Sequence, residues 1–331
     1  MEDDRKRHHI DLALEAKTTK QTLDTRFEYD PIHAIHPISN SEQALEFGAY
    51  ILKFPIWISS MTGGTELAKD INTNLAKACG EFGLGMGLGS CRKLIENPAL
   101  ISEYDVKQYM EHQPLFANIG IAQLEQYIQE KKLVLLSELL KRLRADGLII
   151  HVNPLQEWMQ KEGDRFQQRP IDTIKKTMDQ LSCHIIVKEV GQGMGMNSLK
   201  ALFQLPLLAI EFGAYGGTNF SKLETMRYSD QYTLDQLALN HVGHDAQEML
   251  EYCNEIFSSQ KVDRKFRLII SGGIQTVLDG FYLISKSKIP AVYGQASAFL
   301  KYARISYESL QQYLIAHTQT FMAAKQFLRI K

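Results

Sequence analysis

The densest set of residues able to do chemistry is HVNPLQEWMQKEGDR (151–165). His151 and Asn153 alternate along a strand end and so point to the same side. Pro154 stops the strand, and Gln156 and Glu157 follow on the loop. Three neutral hydrogen-bonding groups and one carboxylate in so short a stretch suit a polar pocket with one metal ligand. Glu157 with phosphate oxygens is the donor set Mg2+ accepts, because that ion commonly keeps one or two carboxylates plus substrate phosphates. The alternative is a solvated helix start capped by Asn153.

Other segments supply anion-binding and ring-binding groups. RKRHH (5–9) is either a frayed basic tail or a diphosphate clamp, with Arg5 as a two-pronged donor, Lys6 as a point charge, and Arg92 helping from elsewhere. SGGI (271–274), YGQASAF (293–299) and GGTNF (216–220) carry glycines that let backbone N–H groups approach a phosphate, or that simply make tight strand exits. MTGG (61–64), GSCR (89–92), NIG (118–120) and VKEV (187–190) offer small residues for the face of a flat conjugated cofactor, with polar groups for its edge. Lys188 ends a buried run, which is costly unless it meets an electron-rich ring or a partner such as Glu189.

Eight short apolar runs position these groups: 55–61, 84–90, 114–120, 147–153, 184–190, 207–213, 267–273 and 291–296. Near-continuous apolar strands are what a parallel sheet covered by helices requires, and helical periodicities such as ELAKDINTNLAKACGEF lie between them. Regular alternation over the whole chain favours a closed (β/α)8 TIM barrel over an open doubly wound sheet. The chemically capable residues sit at the C-terminal strand ends, the face on which barrel sites are built. The chain reads as one domain, 1–331, with an N-terminal segment (1–54) bearing the basic cluster. A helical insertion (214–266) follows the sixth strand.

Composition narrows the function classes. Lys+Arg 37 against Asp+Glu 38 gives a formal charge of -1, so neither nucleic acid nor an anionic membrane is an expected partner. No run approaches a membrane span, and the N-terminus lacks an apolar signal region. Cys79, Cys91, Cys183 and Cys253 are scattered, which fits a reducing compartment and a cytoplasmic protein. Neither GxSxG, a P-loop, nor a Rossmann GxGxxG is present.

Taken in order, RKRHH, MTGG, GSCR, ANIG, HVNPLQE, VKEVG, GGTNF and SGGI resemble the type 2 (FMN-dependent) isopentenyl-diphosphate delta-isomerase family over nearly the whole chain. The resemblance implies interconversion of isopentenyl and dimethylallyl diphosphate by a 1,3-allylic proton shift, using reduced FMN and Mg2+, with NAD(P)H only reducing the flavin. It implies that Arg5, Lys6, Ser90 and Arg92 hold the diphosphate, with Gln156 at the isoprenoid unit, His151 and Asn153 in the same pocket, and Glu157 on Mg2+. FMN would meet Ser60, Met61, Thr62, Gly63, Ser90, Asn118, Lys188, Gly213 and Thr218, and its phosphate Gly273, Ile274, Gln275, Ala296 and Ser297. A homo-oligomer, tetrameric or larger, is implied as well. The chain departs from the family at Cys91 (usually Gln), at Gly213-Ala214-Tyr215 (usually Ser-Gly-Ala) and at Gln275 (commonly Arg or Lys), changes that touch FMN and its phosphate more than the diphosphate clamp. The competing expectations are an FMN barrel oxidoreductase of the α-hydroxy-acid oxidase type, or a non-catalytic homologue.

Overall fold

A computed structural model describes residues 2–38, 44–60, 66–228, 231–259, 263 and 265–331. All eight apolar runs become strands of one closed parallel barrel. They are β1 (Ile56–Ile58), β2 (Gly85–Gly87), β3 (Leu115–Gly120), β4 (Gly147–His151), β5 (His184–Lys188), β6 (Ala209–Glu211), β7 (Arg267–Ser271) and β8 (Ala291–Gln295). Each pairs with its sequence neighbour and β8 closes on β1, so the fold is the expected (β/α)8 barrel.

Packing follows the period-two pattern of each strand. Side chains pointing outward join the helices in the larger core, for example Ile56, Ile58, Leu148, Ile150, Ile185 and Val187. Those pointing inward fill the barrel: Trp57, Phe116, Ile149, Ile186, Ala209, Ile269 and Val292. A hairpin of Leu45–Phe47 and Tyr50–Leu52 closes the N-terminal end. Its Phe47 stacks on Trp57 with ring centroids 5.0 Å apart. Truncating an indole packed this completely costs roughly 3–5 kcal/mol. Gly85 is required beside it, since a Cβ there would lie 2.3 Å from the Trp57 ring.

Beneath that plug Asp146 accepts hydrogen bonds from Tyr50, Lys107 and the Leu115 N–H, which fastens the hairpin to the barrel. The sixth unit carries the expected extra helices, Phe220–Arg227 and Leu234–Ala238, ahead of the barrel helix Ala246–Ser259. Phe27–Tyr29 pairs antiparallel with Leu328–Ile330 near the C-terminus. No described helix is long and apolar enough to cross a membrane.

Candidate active site

Two residues further along the strands the barrel interior changes character. Ser59, Asn118, Lys188, Glu211 and Ser271 follow the apolar layer at the C-terminal end, and all are buried. Gly120, His151, Lys188 and Glu211 are successive register partners across β3 to β6. The floor of the barrel mouth is thus a polar ring on an apolar plug.

One side of the mouth opens into a cavity of about 520 Å3 lined by residues of β1, β5, β6, β7 and β8 and their loops. Ser60, Lys188, Gly213, Thr218, Gly273, Ile274, Gln275, Ala296 and Ser297 all line it. Its wall needs glycine. Gly272 has φ +94 and a Cβ there would lie 2.1 Å from the Ala214 carbonyl, while Gly213 has φ +52 and faces the Glu189 carbonyl at 2.0 Å. Gly216 and Gly217 pack on Gly272 and Gly273, so two chain segments meet without side chains between them. Three buried polar atoms of the lining residues have no hydrogen-bond partner among the described residues: Ser59 Oγ, Ser60 Oγ and Gln295 Oε1. Native proteins rarely leave such atoms unpaired, and a polar ligand would satisfy them.

Lys188 Nζ donates to the Glu189 carbonyl oxygen at 2.7 Å and makes no ion pair with the Glu189 carboxylate. That carboxylate is instead capped by the backbone N–H groups of Gly191, Gln192 and Gly193.

The other side of the mouth is a connected polar network. His151 Nδ1 lies 2.7 Å from Asn118 Oδ1, so Nδ1 carries the proton and Nε2 offers a lone pair. Burial, with Lys188 nearby, pushes the His151 pKa down to about 4, and the ring is neutral at neutral pH. Gln156 and Glu157 lie on a helix, Pro154–Met159, rather than on a loop, because a proline at the first helical position is already held at a helical φ. Asn153 does not cap that helix with its side chain. Its Nδ2 donates to Gln156 Oε1 (3.2 Å) and Glu157 Oε1 (3.0 Å), and its buried Oδ1 has no partner among the described residues. Glu157 Oε2 accepts the Asp164 N–H at 2.8 Å. Arg92 divides its guanidinium between Glu96 (2.8 Å) and Asp164 (2.7 Å), and Gln123 shares Asp164.

Some expected residues stand apart. Arg5 and Lys6 lie on the helix Glu2–Leu12, and every described residue from 4 to 23 is exposed. Ser90 is exposed at the end of the β2 turn, beside Arg92 and outside the cavity wall. Met61, Thr62 and Gly63 lie outside the described residues. Glu211 and Gln123 were not anticipated, whereas Ser59, Ser271, Gln295 and Asp164 fall within segments that the sequence singles out. Glu211 had a visible signal, an acid inside the apolar run LLAIEFG. The partners of Asp164 come from other turns of the barrel, and nothing local marks them.

This geometry defines a (β/α)8-barrel protein with a ligand cavity at its C-terminal face. Solved structures agree in fold: a flavocytochrome b2 variant with sulfite bound (TM-score 0.61, 12% identity, 91% of this chain and 72% of that one) and a mandelate oxidase variant with a monooxide FMN adduct (TM-score 0.59, 10% identity, 92% and 88%). No family model matches. Sequence relatives are more informative. The isopentenyl-diphosphate delta-isomerase of Rickettsia africae is 34% identical over 314 residues, covering 93% of this chain and 87% of its own length. Those of Rickettsia typhi and Rickettsia akari are 33% and 32% identical over 93% and 91% of this chain. The chain belongs to the isopentenyl-diphosphate delta-isomerase family, the one its motifs resemble.

Proposed function

We propose that this protein interconverts isopentenyl and dimethylallyl diphosphate at the barrel mouth, with reduced FMN in the glycine-walled cavity and Mg2+ at Glu157. The observation that carries the reading is the shared floor. His151 and Lys188 are register partners, so the last group of the polar network adjoins a wall residue of the cavity. The Ser59, Ser60 and Gln295 side-chain oxygens, without partners among the described residues, suit a ligand with polar edges, and Asn153 Oδ1 beside Glu157, likewise without one, suits a hydrated cation.

When bound, reduced FMN would supply an electron-rich ring and a nitrogen able to give and take a proton, with NAD(P)H as its reductant. The chain's own residues bind, orient and shield. Gly272, Gly273, Ala296 and Ser297 would hold the cofactor phosphate through close backbone approach. Gln156 Oε1 is occupied by Asn153, which leaves its amide N–H groups free to face the substrate. Glu157 is fixed by two donors and meets Mg2+ with one lone pair still open on each oxygen. His151 stays neutral and can accept a proton or hydrogen bond at Nε2. Of the three cations expected to hold the diphosphate, Arg92 joins the polar network of the mouth, while Arg5 and Lys6 would reach the diphosphate only after the N-terminal helix moves. We extend the reading to a homo-oligomer, tetrameric or larger, acting in the cytoplasm.

The test is direct. Protein loaded with FMN and reduced anaerobically should convert isopentenyl diphosphate only with Mg2+ present. Loaded, reduced protein that turns over no substrate with Mg2+ would contradict the reading.

A further inference from the structure

Glu211 takes part in none of the steps above. It ends β6 on the inner side of the barrel, has no exposed surface, and stands in register with Lys188 on β5. The groups facing it are Lys188 from β5, Ser271 from β7 and Ser59 from β1, with His151 beyond Lys188 on β4. Its Oε1 is 3.5 Å from Ser271 Oγ, and its Oε2 has no partner among the described residues. Ser59 Oγ lies close by without a hydrogen bond of normal geometry. Lys188 meanwhile lines the cavity with its ammonium turned to the Glu189 carbonyl, and among the described residues no salt bridge reaches it.

A bare carboxylate buried with so few donors is strongly unfavourable, whereas a carboxylic acid is tolerated. Burial pushes the Glu211 pKa up, against the opposing pull of Lys188 and of the two serine hydroxyls.

We propose that Glu211 is a positioning residue that sets the charge of the cavity floor. Carrying its proton, it leaves the Lys188 ammonium uncompensated toward the bound cofactor. Without the proton, its free oxygen draws that ammonium away and cancels the charge. The inference rests on the FMN reading for its consequence, but not for the state of the acid. An uncompensated positive charge lining the cavity favours the electron-rich, reduced form of a flavin over the oxidised form.

Two measurements separate these parts. In apoprotein at neutral pH, infrared difference spectra of the parent minus Glu211→Gln should show the carbonyl stretch of a protonated carboxylic acid. A carboxylate signature in its place would overturn the proposal. In FMN-loaded protein, the reduction potential of the parent should match that of Glu211→Gln at neutral pH and fall more steeply than the variant's as pH rises. The affinity for reduced FMN should drop about tenfold or more in the parent alone. Identical pH profiles, or a neutral-pH potential already raised by the amide, would overturn the proposal. If the parent binds no FMN while the acid band is present, the flavin reading fails and the neutral acid beside Lys188 stands. Glu211→Asp, which restores the acid, should restore the pH-dependent branch and so exclude a merely structural role for the side chain.

Discussion

The two sides of the barrel mouth are built on opposite principles. The wall formed by β5 to β8 and the end of β1 is a formed cavity in which three buried polar atoms have no partner among the described residues, whereas the network around β3 and β4 is paired almost throughout and lacks two of its expected cations. Of the departures from the family pattern, Cys91 lies after β2 with its N–H on the Asn118 carbonyl, whereas those at Gly213-Ala214-Tyr215 and Gln275 fall on the first side. That side is nevertheless the preassembled one, because its shape comes from backbone. At Gly213 and Gly272 the chain passes within 2.0 and 2.1 Å of where a Cβ would sit. Losing a serine hydroxyl at position 213 does not disturb a wall made by close chain approach. The substrate side depends on side chains that must change partners. Arg92 is held by Glu96 and Asp164, and Arg5 and Lys6 project into solvent. Preorganised cofactor binding and induced substrate binding are the behaviours this contrast predicts.

The largest expected effect is on the paired side. Glu157→Gln should lower kcat/KM by about 10²–10³-fold, the scale of losing a metal's charge stabilisation, and leave FMN affinity unchanged in a fluorescence titration. Next, Gly272→Ala places a side chain where φ is +94. Strain of about 1–3 kcal/mol should weaken FMN binding by roughly ten- to a hundredfold, with apoprotein circular dichroism unaltered. If Glu157→Gln instead released FMN, the two sides would not be separable as argued.

Removing both Arg5 and Lys6 as alanines should raise KM about tenfold, spare kcat, and weaken the dependence of KM on ionic strength. An unchanged KM would leave the helix Glu2–Leu12 outside the site. A separate effect concerns stability rather than turnover. His317 is buried against Tyr293 at 2.8 Å, and burial pushes its pKa down to about 4. The unfolded chain then binds the extra proton first as pH falls from its ordinary value near 6.5 toward 4, so stability rises with pH across that window. His151 shifts in the same direction for the same reason. Melting temperatures should fall between pH 6.5 and 4, and His317→Gln should remove part of the slope, at most about 3 kcal/mol.

Much of this was legible in the sequence, and the limits have a physical cause. All eight strands were legible because each is buried on both faces and reads as a near-continuous apolar run. The wall residues Lys188 and Gly273 were legible because a polar residue or a glycine interrupts those runs at their C-terminal ends, whereas Ser297 was named only through the family resemblance. The helical start at Pro154 was the second reading rather than the first, because a proline that ends a strand also suits the first position of a helix. Glu211, Asp164 and Gln123 act through neighbours from other strands and loops, such as Lys188 across the sheet or Arg92 on the β2 side. No spacing within one segment reports such contacts. The exposed helix bearing Arg5 and Lys6 shows the converse: a motif fixes residue types, while partners decide where they dock.

The central claim is that one mouth joins a flavin cavity to a proton-shuttling pocket. Incubation of FMN-reduced, Mg2+-loaded protein with isopentenyl diphosphate in deuterated water tests it most directly. The account predicts deuterium in the methyl group of the dimethylallyl product and, with time, in recovered isopentenyl diphosphate, both lost in Glu157→Gln. Conversion without deuterium uptake, or turnover that is indifferent to the flavin's redox state, would contradict it.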